Sequence, residues 1–272
     1  MKQILPAEQL ARDDRFVEVN MQQRLSDPRM GVPGGSYQRV GRLGPEDPDA
    51  PERSRSLMHG IFMGEIQALE GAGRTCWDFE ESEAPYALKL DMARQCWDEA
   101  RHVEISVKLT EWMGTGIGEF AESRFLYQAA CSPDPVLRLT GVNRALEGLA
   151  IDVFNTMKEF AGLSGDPVLG FCEDWMLADE VTHVKMGSDW LRRLTENDPE
   201  RRRHALEFQR TVDKLFSFGG GRGKDKDSPI RLADAFRRMA GFTDDEIDDI
   251  DKLGQERREE LEEMRRSAAT SA

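Results

Sequence analysis

Residues 98–105 read DEARHVEI, and residues 179–186 read DEVTHVKM. Asp, Glu, His and Val recur at an offset of 81 residues. Upstream of each phrase stands one more glutamate among small and apolar residues, Glu65 in GEIQALEG and Glu147 in ALEGLAID. The chain thus says Glu, then Glu-x-x-His, and says it again. A single Glu-x-x-His would mean little with 51 acidic residues among 272, but there are only four histidines and two share this frame. His59 and His204 do not, and read as surface or packing residues. Glu70, five residues after Glu65, falls about 140° around the helix and is a poor ligand candidate.

The spacing decides the geometry. Glu65 and Glu99 lie 34 residues apart with their midpoint at Ser82, inside an expected loop at Glu81–Pro85. Glu147 and Glu180 lie 33 apart, and their midpoint falls in GLSGDP, a second break. Residues equidistant from the turn of an antiparallel helix pair share one height, here roughly 20 Å from each turn at ~1.5 Å per residue. Glu and His at i and i+3 project from one face. Two such hairpins packed together would bring Glu65, Glu99, His102, Glu147, Glu180 and His183 into one layer.

Four buried glutamates repel one another and lose hydration, so a layer of this kind calls for cations or protons. Carboxylate and imidazole suit iron and manganese, and no thiolate is placed to favour softer ions. One Glu from each of two helices and Glu-x-x-His from each of two others is the donor set of di-iron and di-manganese carboxylate bundles. Two iron ions are the expected cofactor, with Mn/Fe or Mn/Mn pairs as alternatives. A metal-bound histidine commonly donates its other N–H to a carboxylate. Asp98 is therefore expected on His183, and Asp179 on His102.

Outward from this centre the texture is helical. Residues 1–53 are rich in Gly, Pro and charge and read as an extended strap. Residues 54–195 hold the four helices of the bundle, with Ser54 or Ser56 as first N-cap and a connection of about twenty residues, partly helical, between the hairpins. Residues 196–272 read as a helical extension: a helix near Glu200–Phe216, the glycine run 219–221 as a linker or lid, two shorter helices and a frayed SAATSA end. No alternating run signals a strand. Trp97, Trp112, Trp175 and Trp190 read as core or interface.

Composition narrows the function classes. A net charge of −14 argues against general nucleic-acid binding. Residues 192–238 nevertheless carry 13 Lys and Arg against 8 Asp and Glu, which reads as a solvated face or an anchor for an anionic partner. No apolar run nears the ~20 residues needed to span a bilayer. The start MKQILPAEQLARDD lacks a secretory pattern, and four cysteines with no CxxC pair read as reduced thiols in the cytoplasm.

Through these six residues the chain resembles the ferritin-like di-iron superfamily over roughly residues 54–195. EIQALE, DEARH and AFRRMAGF look, more narrowly, like a bacterial ferritin-like family known mainly as a domain of unknown function. That family is distantly similar to non-haem di-iron hydroxylases that modify tRNA. The resemblance implies an all-α, ferritin-like four-helix bundle of two antiparallel hairpins joined by a long crossover. Departures are informative. The Tyr that ferritins and rubrerythrins commonly carry seven residues after the first ligand is Ala72 here, with small Ala68 nearby. The extra His of arylamine N-oxygenases is Met176. No rubredoxin CxxC is present. Ala68, Leu69, Ala72, Ile151, Phe154 and Met176 are the expected lining of a pocket for substrate or O2.

The function so implied is an O2-dependent di-iron oxidase or oxygenase that hydroxylates, desaturates or N-oxidises a small organic substrate. It would draw on an external electron donor, with a homodimer as the expected assembly. A ferroxidase, a tRNA hydroxylase and a metal-free structural bundle are the other readings.

Overall fold

The computed structural model describes residues 50–120, 124–217, 220–226 and 228–270. The strap expected for residues 1–53 lies outside this range apart from its last four positions, as do Phe218 and Gly219 ahead of the glycine-rich turn and the final two residues of the tail.

Four of the five long helices among the described residues form the two hairpins: α1, Ala50–Asp78; α2, Tyr86–Trp112; α5, Glu147–Ser164; and α6, Pro167–Leu194. Between α2 and α5 come the short helices α3, Phe125–Ala130, and α4, Pro135–Arg138. A π-helical stretch, Leu139–Leu146, then leads directly into α5. Beyond α6 follow α7, Pro199–Leu215; strands β1, Arg222–Gly223, and β2, Ile230–Arg231, paired in parallel; α8, Asp234–Met239; and α9, Asp244–Thr270. Among the described residues the fold is all-α apart from this two-residue strand pair, which no alternating pattern announced.

Helix starts are written locally. Asp134, Asp166 and Asp198 each cap a helix whose next residue is proline, their side chains accepting from free backbone N–H groups. Asp166 accepts from Val168 and Leu169, each at 3.0 Å. Only two residues separate α5 from α6, and Gly165 takes the left-handed conformation, φ 71°, that reverses the chain. α1 begins at Ala50, ahead of the expected caps. Pro51 fits the first turn, where an N–H is not needed, and the Ser54 hydroxyl donates back to the Pro51 carbonyl at 3.0 Å.

The pairs α1/α2 and α5/α6 are antiparallel hairpins. Cys76 contacts the Lys89 carbonyl and Cys96 the Leu69 carbonyl in one register, which sets Glu65 opposite Glu99. One continuous apolar core runs through both hairpins, from Met58 and Ile61 through Phe154 and Met176 to Phe216 and Ile250. Burying these faces from water drives the packing.

The C-terminal part is fastened into this core. Arg222 and Arg237 are completely buried, and both reach Asp152 on α5. Arg222 also donates to Asp213 at 3.1 Å. Most of the basic stretch is consumed this way: Arg201 meets Asp134, Arg210 meets Asp249, Lys214 meets Glu260 and Arg231 meets Glu159. The stretch is a set of seams between helices. Of the tryptophans expected in core or interface, Trp190 is in the core, while Trp97 and Trp112 are 66% and 60% exposed.

Candidate metal centre

Glu65 from α1, Glu99 and His102 from α2, Glu147 at the start of α5, and Glu180 and His183 from α6 converge in the interior, each no more than 3% exposed. They form two overlapping groups able to hold a metal ion: Glu65, Glu99, His102 and Glu180; and Glu99, Glu147, Glu180 and His183. Within each group one donor atom per residue lies within 4.8 Å of the others. Glu99 and Glu180 belong to both.

The histidines show what this arrangement suits. His102 Nδ1 lies 3.0 Å from Glu65 Oε2, 3.1 Å from Glu180 Oε1 and 3.3 Å from Glu99 Oε2. His183 Nδ1 lies 3.0 Å from Glu99 Oε1 and 3.6 Å from Glu180 Oε2. An imidazole nitrogen carries one hydrogen at most, so it cannot bond three carboxylates together. Glu99 Oε2, both Glu180 oxygens and His183 Nδ1 have no hydrogen-bond partner among the described residues. A cation with several coordination positions satisfies all of them at once.

The outer ring nitrogens are held separately. His183 Nε2 lies 3.3 Å from Asp98 Oδ2, and His102 Nε2 lies 3.3 Å from Asp179 Oδ2, so each hairpin orients the other hairpin's imidazole. With the proton on Nε2, each Nδ1 lone pair faces the carboxylates. Arg101 bridges the two aspartates from the rim and lies 4.7 Å over the Trp175 ring.

Protons can also balance these charges. Burial pushes Glu65 and Glu147 well above the usual carboxylate range, and the charges of Glu99 and Glu180 add to it. Burial acts the same way on Glu99 and Glu180, but it is outweighed at Glu99 by the imidazoles and at Glu180 by a hydrogen bond with Glu147 and then the imidazoles, which hold both low. Burial disfavours the charged imidazoles, yet carboxylates on every side raise both histidines. Protons and divalent ions therefore compete for one set of atoms.

Three neighbours escaped the sequence reading. Gln95, one turn before Glu99, donates to Glu147 Oε1 at 2.6 Å and Glu99 Oε1 at 3.2 Å. Asn143, in the π-helical stretch, donates to Gln95 Oε1 at 2.6 Å. Glu173 lies two turns before Glu180 on the same buried stripe of α6. Only Glu173 left a trace, an acidic residue seven positions from another on a helix whose other face is polar; a lone Gln or Asn has no pattern to betray it.

The expected pocket residues divide between two sides. Ala68 and Ala72 follow Glu65 toward the α1–α2 loop, where Gln95 and Asn143 fill the interior; Leu69 is partly exposed. Ile151, Phe154 and Met176 lie on the opposite side of the layer and are fully buried. His59 is a packing residue, edge-on to Phe62 and Phe120, and His204 is exposed.

Fold and cluster together define an all-helical protein with a buried carboxylate–imidazole centre. Over residues 21–248 the chain matches the family described as "Protein of unknown function (DUF455)", and it belongs to that family. No curated protein and no solved structure matches it. Among the described residues no helix is long and apolar enough to cross a membrane.

Proposed function

We propose that this chain is a ferritin-like, non-haem di-iron oxidase or oxygenase acting on a small organic substrate. The observation that carries the reading is His102 Nδ1 within 3.3 Å of three different carboxylates, an arrangement one proton cannot satisfy. Bound there, a ferrous pair would supply the electrons for reducing O2 and the oxidant for the substrate.

The protein's own contribution is position and dryness. Glu65, Glu99, His102, Glu147, Glu180 and His183 would hold the ions, with Glu99 and Glu180 common to both groups. Asp98 and Asp179 fix the imidazole tautomers, and Gln95 holds two of the carboxylates. Closure of the layer from water strengthens every one of these contacts. An external donor would have to return the metals to the ferrous state after each turnover.

A tRNA substrate is disfavoured by the seams that consume the basic stretch: Arg222 and Arg237 are internal, and neither can meet phosphate. Elemental analysis of the purified chain should find close to two iron or manganese ions, and anaerobic Fe(II) loading followed by O2 should give stoichiometric O2 uptake. A chain that folds normally and takes up no divalent metal sinks the reading, and E180Q should cost most of the bound metal.

A further inference from the structure

The metal layer leaves one buried acid unused. Glu173 is fully enclosed, and neither carboxylate oxygen has a hydrogen-bond partner among the described residues. Ser106, one turn past His102 on α2, is also fully buried, with its hydroxyl equally without a partner. α2 and α6 run antiparallel, since Asp98 meets His183 while His102 meets Asp179. The steps from His102 to Ser106 and from Glu180 to Glu173 therefore go the same way, roughly 6 Å and 10 Å along the bundle at ~1.5 Å per residue. The same steps on α1 and α5 reach Met58, Ile61, Ile151 and Phe154, all buried and apolar.

Burial pushes the Glu173 carboxyl well above the usual range, while the charge of His102 opposes this. A buried acid without a partner costs stability, and no ligand of the metal layer uses it. The residue at the equivalent place in the first hairpin, 81 positions earlier, is Met92, also fully buried. An apolar side chain thus fills that place in one hairpin, and the other carries an acid.

We propose that Glu173 and Ser106 form a binding site for the amino group of a small, otherwise apolar primary amine, on the Phe154 side of the metal layer. An ammonium offers three N–H donors to two carboxylate oxygens and one hydroxyl, and one positive charge to one negative. A neutral amine entering the site takes the proton the carboxyl carries, so net charge is unchanged on binding. A divalent metal is a poor fit, because hard cations take about six to eight oxygens and this place offers one carboxylate and one hydroxyl. Acidic ligands would meet the Glu173 carboxyl, which offers them no attraction. The inference rests on the proposed oxidase reading only for what becomes of the amine; binding itself stands on Glu173 and Ser106.

Calorimetric titration of the full chain as isolated, with metal content measured on the same sample, tests this with n-butylamine against its neutral isostere 1-butanol. A charge-assisted contact favours the amine by about tenfold to a hundredfold, and E173Q is expected to abolish that preference with metal content unchanged. S106A should weaken amine binding by a smaller factor. E173M, close in volume, should lose the preference and raise Tm, because an unpaired polar group has been removed. Equal affinity of the wild-type chain for amine and alcohol overturns the proposal. So does a preference that survives E173Q, or an E173M variant that melts below wild type and so shows a structural role. Amine preference in a sample that holds no metal supports the site while removing the oxidase reading.

Discussion

At the scale of single residues, the centre separates atoms that hold from atoms that steer. The convergence of the six side chains was legible in the sequence because their frame is repeated, and a repeat built on so rare a residue as histidine stands out from an acid-rich composition. The steering aspartates were legible for the same reason. Gln95 was not: a neutral amide becomes informative only once Glu99, Glu147 and Asn143 are seen around it. Its removal makes a clean test. Q95L keeps the volume, loses two donated hydrogen bonds and strands the Asn143 amide. Loss of such a supporting contact costs about 10–100-fold in metal affinity, to be read by competition against a chelator while helix content by circular dichroism stays at the wild-type value. Unchanged affinity would make Gln95 a bystander.

At the scale of elements, what local chemistry dictates was readable and what tertiary packing dictates was not. Three Asp-Pro starts, the Gly165 reversal and the long amphipathic helices follow from capping and periodicity. The π-helical stretch before Glu147 does not, because its cause lies in its neighbours. A Cβ at Gly141 would sit 2.1 Å from the Ala130 carbonyl oxygen, and one at Gly187 would sit 2.5 Å from Asn143 Cβ. α6 and the π-helical stretch touch backbone to backbone there, and Asn143 is set by that contact. G187A is expected to destabilise by about 1–3 kcal/mol, the usual penalty for overpacking, seen as a lower Tm. It should also weaken metal binding, since Asn143 must shift and Gln95 with it. A G187A chain of wild-type stability and affinity would break this link between helix contact and centre.

At the scale of the whole molecule, charge counting found an excess of 5 positive charges in residues 192–238 but could not tell that two of its arginines are internal. Asp152 lies five residues beyond Glu147, and Arg222 and Arg237 close on it, so the C-terminal part is bolted beside the carboxylate–imidazole layer. R237M leaves a buried carboxylate half-compensated, at a cost of about 3–5 kcal/mol measurable by denaturant unfolding; R237M combined with D152L should recover most of it. Burial works against the Asp152 charge, but the two guanidiniums hold its carboxyl below the usual range. A carboxyl lower in the folded than in the unfolded chain adds stability above the unfolded value of about 3.9, and loses it as pH falls through the folded value. Wild type should therefore show an acid-induced loss of stability below about pH 4 that D152L/R237M lacks, which unfolding curves at several pH values would reveal.

The repeat that built the centre is imperfect just outside it. Position 101 holds an arginine that grips both steering aspartates, and its counterpart 182 is a threonine; Gln95 answers to Met176. Asp98 is 7% open and Asp179 is 22% open. The two overlapping groups thus have unlike surroundings, and on the proposed reading they should fill in a fixed order and tolerate two different metals side by side. Stepwise titration with Mn(II) is expected to resolve two constants, and R101T should draw them together.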